Sequence, residues 1–330
     1  MKYILKRIGF YAIAFLGAIT LNFFLPRMMP GSPLDSYLAN LAQSGTKIDE
    51  SVIAATEAMF GLNSDEPLIV SYLNYVKGIF SGDWGTSFYY YPLSVTDSIS
   101  RALGWTVFLM GIALIVGFVI NNLLGILVAW RRGSKLDTVV TVGGQLMANI
   151  PSAVTAIVLL FALCYTGIFP TGYAVTPLFT AKNGYEYWMD IFYHAFVPIT
   201  AIVLTGLGGI MGMRANMINQ LGDDYITMGI AKGVPDGKIM LGYAARNSLL
   251  PVVTTLAMQV GFLLGGSLII EQLFNYPGLG SIMVSAISYK DYTLMQGILL
   301  MSTILMLSAN LLADIAILII DPRTRRQGSK

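Results

Sequence analysis

The chain has 330 residues, of which 55% are hydrophobic and only 12% charged, with a mean hydropathy of +0.67. Soluble domains carry about 25% charged residues, so water is not the main solvent of this polypeptide, and a net charge of +2 gives no reason to expect a nucleic-acid partner. With one cysteine and one histidine, a Cys/His catalytic pair or a cluster of metal ligands is not expected, and Cys164 reads as a small buried hydrophobe.

Stretches free of Asp, Glu, Lys and Arg run over 8–26, 102–130, 138–181, 191–213, 247–270 and 292–313. About 20 apolar residues cross about 30 Å of hydrocarbon, so each stretch holds one helix. The expected fold class is an all-α polytopic membrane protein with six transmembrane helices. If the N-terminus is cytoplasmic, 14 of the 20 basic residues fall inside, leaving Arg27, Lys47, Lys77, Arg101, Lys182 and Lys290 outside. The positive-inside rule then predicts that both termini are cytoplasmic. The basic start and first apolar run read as a retained helix, because no small-residue cleavage site follows and Pro26-Arg27 ends a run long enough to span.

Helix one is expected over 8–27. A non-cytoplasmic segment follows up to Arg101, and it contains helical periodicity. Val52, Ala55, Met59 and Leu62 lie on one face, with Asp49 and Ser51 as caps and Gly61 as a stop. Pro67 opens a second helix with Ile69, Tyr72, Leu73, Val76 and Phe80 on one face. Both read as amphipathic helices on the outer membrane surface or in a small lid, and Trp84, Phe88 and Tyr89 to Tyr91 read as an interfacial aromatic belt. Helix two is expected over 102–130, helix three over 138–165, helix four over 193–214, helix five over 249–271 and helix six over 294–320, ending at Asp321-Pro322-Arg323. Glycines four apart, Gly208/Gly212 and Gly261/Gly265, predict close packing of helices four and five.

The segment from Asp224 to Pro251, between helices four and five, is polar and basic. Asp223 and Asp224 suit a helix N-terminus, where carboxylates meet unpaired N–H donors. Gly233 suits the left-handed stop of that helix. Pro235 and then Asp236 suit the first turn of the next helix. Arg246 lies near the far end, before Pro251 re-enters the membrane. The product is a helix–bend–helix on the cytoplasmic face, a shape suited to mechanical input from a soluble partner.

At these residues the sequence resembles the coupling loop of ABC importer permeases, and in particular the B-type permease of the oligopeptide, dipeptide and nickel branch. The resemblance runs through Asp224, Tyr225, Gly229, Ala231, Lys232 and Gly233, then Arg246, Asn247, Leu249 and Pro251. It extends to LPRMMPGSP near the N-terminus, GDWGTS at 82–87, EQLFNYPGLG at 271–280 and NLLADIAILIIDPR at 310–323. The glutamate-alanine-alanine start of sugar-type importers is replaced here by Thr227-Met228-Gly229, and Gly229 in place of alanine loosens the helix by about 0.5–1 kcal/mol.

The resemblance implies a half-channel that pairs with a homologous permease. Two cytoplasmic ATPase subunits would carry ATP and magnesium, and an extracytoplasmic solute-binding protein would deliver peptides, or alternatively oligosaccharides or nickel. It divides the chain into 1–27 (tail and first helix), 28–101 (outer segment), 102–323 (permease domain with coupling loop 215–248) and 324–330 (tail). On this reading Lys232 and Arg246 pair with acids on the ATPase, while Tyr225 and Ile226 supply apolar contact. Glu271, Phe274 and Trp84 are candidates for the translocation path or the binding-protein dock. No G-x-x-x-x-G-K-[ST] occurs, so no ATP site and no cofactor are expected in this chain. Asp314, in helix six, reads as a structural carboxylate satisfied by a partner rather than an ion site. A secondary transporter acting alone is the rival class; it predicts inverted repeats and buried charges along a path, and the sequence presents neither.

Overall fold

The computed structural model describes residues 2–43, 45, 47–60, 67–178, 184–263 and 267–320, and Gly61, Leu62, Gly265 and the stretch from Asp321 onward lie outside them. In chain order the helices are α1 (Lys2–Arg27), α2 (Pro33–Gln43), α3 (Glu50–Phe60), α4 (Leu68–Ser81), α5 (Val95–Trp130), α6 (Lys135–Ala148) and α7 (Ser152–Leu159, continued by a π-helical turn over Leu160–Cys164).

 They continue as α8 (Gly184–Thr205), α9 (Gly209–Leu221), α10 (Asp224–Ala231), α11 (Asp236–Lys238, continued by a π-helical turn over Ile239–Ala245), α12 (Arg246–Leu263), α13 (Leu268–Leu273), α14 (Leu279–Ser288) and α15 (Tyr292–Ile320). Among the described residues the extended structure is one isolated antiparallel bridge between Thr86 and Ser94.

Among the described residues, four helical stretches are long and apolar enough to cross a membrane: Arg7–Arg27, Val95–Trp130, Gly184–Thr205 and Tyr292–Leu312. A fifth is the pair α6 and α7 taken together, bent by 101°. The chain is thus a polytopic helical membrane protein. Its spans carry apolar side chains on their outer faces, such as Ile13 and Leu16 on α1 and Ile115, Val119 and Leu123 on α5, where lipid rather than water is the fitting solvent.

The chain forms two compact units. The first comprises Met1–Thr106, Leu264–Leu268 and Pro277–Leu311. Its core joins Val95, Ile99 and Ala102 of α5 to Leu279, Ile282 and Ala286 of α14 and to Leu294, Met295 and Ile298 of α15. The strap 85–93 is held by a carboxylate. Asp291, fully buried, accepts from Ser87 Oγ (2.6 Å), Tyr89 N (3.0 Å) and Leu294 N (3.0 Å). Burial pushes its carboxyl above the usual range, with these donors opposing the shift.

Helix α2 is absent from the sequence-based expectation, although Ser32-Pro33 carries a helix-start signal: Ser32 Oγ accepts from Leu34 N (3.1 Å) and proline opens the helix. Asp49 caps α3 as expected, its Oδ1 accepting from Val52 N (2.9 Å) and Ser51 Oγ (2.6 Å). The inward side chain of α3 is Thr56, however, while Ala55 is exposed. On α4 the expected single face is split. Tyr72 packs edge-on against Phe23 and its hydroxyl meets Thr20 Oγ1 (2.9 Å), whereas Ile69, Leu73 and Phe80 stay exposed. The side turned toward α1 was chosen by aromatic contacts, which hydrophobic spacing does not report.

The second unit comprises Val107–Leu263, Ile269–Tyr276 and Leu312–Lys330. Two expected straight spans are broken in it. Helix three bends at Asn149-Ile150-Pro151, because Pro151 has no N–H to continue the ladder of α6. Helix four begins at Gly184 rather than residue 193 and stops at Thr205, with α9 restarting at Gly209 after the turn Gly206-Leu207-Gly208. Helices four and five pack together as expected, α9 against α12 with Ser248 Oγ 3.7 Å from Met217 Sδ, but the glycine pair Gly208/Gly212 does not make that contact. A Cβ on Gly208 would lie 3.0 Å from Ala148 of α6, and one on Gly212 would meet nothing within 4 Å. The close approach is at Gly125 of α5, where a Cβ would lie 2.6 Å from Met213 Cβ and 3.0 Å from Ile210 O.

Candidate functional site

The polar insert between α9 and α12 folds into two helical pieces. Helix α10 starts after Asp223, whose extended backbone (φ −80°, ψ 149°) places it at the cap without a side-chain hydrogen bond to the helix, and Asp224 lies in the first turn. It stops at Gly233, with φ +71°. Gly233 N donates to Ile230 O (2.9 Å) and Val234 N to Gly229 O (3.1 Å), the paired bonds of a Schellman stop. Only glycine adopts this left-handed position without a Cβ penalty.

The second piece differs from the expectation. Pro235 is the cap before α11 rather than a residue within its first turn. From Asp236 the chain continues through the π-helical turn into α12, a helical run reaching Leu263. Pro251 lies inside α12, so the helix does not restart there.

The underside of this insert is a core of its own. Ile226, Ile239, Ala244 and Ala245 pack with Met213 and Met217 of α9 and with Ile126 and Ala129 of α5. Ile226 is 2% exposed and Gly229 is buried, so neither offers surface to a partner, contrary to the apolar-contact role expected of Ile226. Tyr225 is half-buried and serves as a clamp: its hydroxyl donates to Gln220 Oε1 (2.8 Å) and accepts from Asn247 Nδ2 (3.1 Å). One phenol thereby ties α10 to both α9 and α12.

The exposed residues include Asp224, Thr227, Met228, Ile230, Ala231, Lys232, Gly233, Pro235 and, further on, Arg246. Met228 and Ile230 are 58% and 60% exposed. No motif marks either residue in the sequence, although the inward pair Ile226 and Gly229, spaced i,i+3, fixes the opposite face.

Asp137, at the start of α6, braces α9. Arg214 of α9 donates to it through Nε (2.7 Å to Oδ1) and Nη2 (2.8 Å to Oδ2), a bidentate pair. Gly133 N and Thr141 Oγ1 fill further acceptor positions at 2.9 and 3.1 Å, and Ser134 Oγ caps α6 by accepting from Asp137 N. Arg214 is therefore neutralised within the chain.

Of the three candidates for the path or dock, two fall in the second unit and one in the first. Glu271 and Phe274 belong to the second unit and are 0% and 1% exposed, which removes them as surface contacts for a partner. Phe274 packs in a core with Ala156, Cys164, Val197, Ala201 and Ile270, and its carbonyl accepts from Tyr173 N (2.9 Å). Trp84 belongs to the first unit and packs, partly buried, against the core around Val95 and Leu294. Asp314 is half-buried on α15.

A polytopic helical membrane protein with a rigid, partly apolar surface on the insert between α9 and α12 is the class these features define. The family described as "binding-protein-dependent transport system inner membrane component" matches residues 121–326. The chain is 30% identical to the oligopeptide transport system permease protein AppB of Bacillus subtilis, over 97% of this chain and 98% of that one. It is 30% identical to the dipeptide transport system permease protein DppB of Lactococcus lactis, over 98% and 99% of the two chains. It is 32% identical to the oligopeptide transport system permease protein OppB of Haemophilus influenzae, over 98% and 99%. The chain belongs to the binding-protein-dependent transport system inner membrane components, the multi-pass permease subunits of ABC transporters.

Proposed function

We propose that this permease forms half of the translocation path of an ATP-driven importer of peptides and is driven by a cytoplasmic ATPase that docks on α10. The observation that carries the reading is the pairing of an exposed Met228–Ile230–Lys232 face with a buried underside clamped to α9 and α12. A force applied to such a face moves membrane helices rather than bending a loop. Peptide cargo is the choice that the relatives' names support.

The full arrangement has six spans with both termini cytoplasmic, α12 with α13 supplying the span that the four long helices and the bent pair leave out. Residues 28–101 lie outside the cell membrane, 215–248 form the coupling loop within a permease domain over 102–323, and 324–330 form a tail. A homologous second permease, two ATPases that hold ATP and magnesium, and an extracytoplasmic binding protein complete the importer. The chain itself hydrolyses nothing and binds no cofactor. Lys232 and Arg246 supply charge to the docking contact, Met228 and Ile230 supply apolar surface, and Gly233 and Pro235 set the bend.

The test is reconstitution of the importer in proteoliposomes with Gly233→Val. The left-handed backbone at Gly233 costs a residue with a Cβ about 1–2 kcal/mol, and relief of that strain reshapes the docking face. Expected are normal co-purification of the four subunits and a fall in peptide imported per ATP hydrolysed. Normal transport by the variant, or transport by the chain without an ATPase, would refute the reading. A panel of peptides, oligosaccharides and nickel identifies the cargo.

A further inference from the structure

Helix α4, in the outer segment, has three different surroundings within the first unit. Tyr72 and Tyr75 face α1: the Tyr72 hydroxyl meets Thr20 Oγ1 (2.9 Å), and both rings lie against Phe23, with centroids 5.3 and 5.5 Å away. Asn74, Gly78 and Ile79 border a cavity of about 220 Å³ that Thr293, Gln296 and Leu300 of α15 also line. Gln296 Nε2 donates to Phe23 O (3.2 Å), so α1 and α15 form one wall behind α4. The remaining arc carries Ile69, Leu73 and Phe80, which are 74%, 59% and 73% exposed, with Val76 half-buried among them. At 100° per residue these four positions span about 60° of the helix, and the exposed Lys77 lies about 40° beyond Leu73.

These contacts fix the level of α4 along two membrane spans. The stretch Arg7–Arg27 is as long as the hydrocarbon is thick, about 30 Å, so Arg27 marks a boundary of the bilayer. Thr20 and Phe24 precede Arg27 by about 10 and 5 Å of helix axis. On α15, Thr293 and Leu300 follow its start at Tyr292 by about 2 and 12 Å. Phe24, itself 44% exposed, stacks on Tyr72 with centroids 6.5 Å apart, which joins the lipid-facing side of α1 to α4. With 14 residues α4 is too short to cross, and Asp65-Glu66 before it and Asp83 after it keep both ends at a polar level. We propose that α4 lies in the plane of the bilayer, with Ile69, Leu73, Val76 and Phe80 seated among phospholipid acyl chains and Lys77 extended to the phosphates. Lipid is the occupant for three reasons: the stripe continues a surface already facing lipid, it lies at the hydrocarbon boundary, and it is edged by a cation that complements phosphate. That the leaflet is the outer one rests on the topology proposed above. Seated in this way, α4 rests the outer segment on the membrane and is not a freely moving lid.

The experiment uses the complete importer in nanodiscs of phosphatidylcholine and phosphatidylglycerol, carrying a nitroxide on Ile69→Cys, Leu73→Cys, Lys77→Cys or Phe80→Cys, with Ser51→Cys on α3 as the control. All five positions are exposed, so no substitution opens a core, and the native Cys164 is buried. Power saturation with oxygen and with a water-soluble nickel chelate reads the depth of each label. Ile69→Cys, Leu73→Cys and Phe80→Cys are expected at a common depth of about 5–10 Å below the phosphates, with oxygen collisions exceeding those of nickel. Lys77→Cys is expected at the level of the phosphates and Ser51→Cys on the water side. Nickel collisions exceeding those of oxygen along the stripe would overturn the proposal in favour of a lid in water. Shielding of the stripe from both reagents would overturn it in favour of a covering protein subunit, and a depth changing steadily from Ile69→Cys to Phe80→Cys in favour of end-first insertion. The leaflet is read separately: Ser51→Cys should react with a membrane-impermeant maleimide in right-side-out vesicles. Reaction only in inside-out vesicles would overturn the topology and the outer-leaflet assignment together. Loss of peptide uptake in an importer that shows the expected depths would count against the importer reading alone.

Discussion

The Asp137–Arg214 pair provides a quantitative test of how α9 is held against α6. Arg214→Met removes two charge-assisted hydrogen bonds and leaves Asp137, 5% exposed, with donors only from Gly133 and Thr141. Removing one partner of a buried ion pair costs about 3–5 kcal/mol. Here the arginine side chain keeps 22% of its surface open, so solvent reaches the pair and the expected cost is about 2–3 kcal/mol. Asp137→Asn should cost less, about 1–2 kcal/mol, because Arg214 turns toward solvent while the amide oxygen retains one donor. The double variant should be less damaged than the sum of the two, with a coupling energy of about 1–2 kcal/mol. The assay is a double-mutant cycle on the midpoint of thermal unfolding in detergent, where 1 kcal/mol shifts the midpoint by about 2–4 °C in a chain of 150–250 residues and somewhat less in this one. Additive effects, within about 0.5 kcal/mol, would refute the view that this pair braces α6 against α9.

Tyr225→Phe removes the hydroxyl that joins Gln220 to Asn247 and should cost about 1–2 kcal/mol of local stability; hydrogen exchange over α10 is expected to accelerate by about tenfold while that of α5 is unchanged. Gly125→Ala places a methyl 2.6 Å from Met213 Cβ, and overpacking of about 1–3 kcal/mol should lower the unfolding midpoint. The same measurement applies to Gly297→Ala, whose Cβ would overlap Val95 Cγ1 and lie 3.2 Å from Ile99 Cδ1. Because burial raises the carboxyl of Asp291, its protonation favours the folded state. That contribution is complete below the ordinary value near pH 3.9 and is lost as pH rises through the raised one. Asp291→Asn should abolish this part of the pH dependence of unfolding.

The composition and the charge-free runs were enough to read a polytopic helical protein, because the bilayer demands that backbone polar groups be satisfied within each span. Asp49 as a cap and Gly233 as a left-handed stop were equally legible, since both follow from the geometry of a single helix end. The face of α4 was not. Ile69 and Leu73 fit an apolar stripe as well as Tyr72 does, and only contact with Phe23 and Thr20 decided between them. Ile226 was likewise misread as a contact residue, because an apolar side chain in a polar insert looks the same in sequence whether it points down into a core or out to a partner.

The sequence by itself determined the solvent of this protein, the number of its charge-free runs and the ends of α10, each a matter of local composition or local backbone geometry. Tertiary structure alone decided where the spans break, at Pro151 and at Gly206–Gly208, and which backbone carbonyl Asn121 engages. The physical reason is that an amide is satisfied or left over only in relation to a partner distant in the chain. Asn121 shows it: its nitrogen is engaged by Gly206, 85 residues away, and that bond alone determines where its oxygen points.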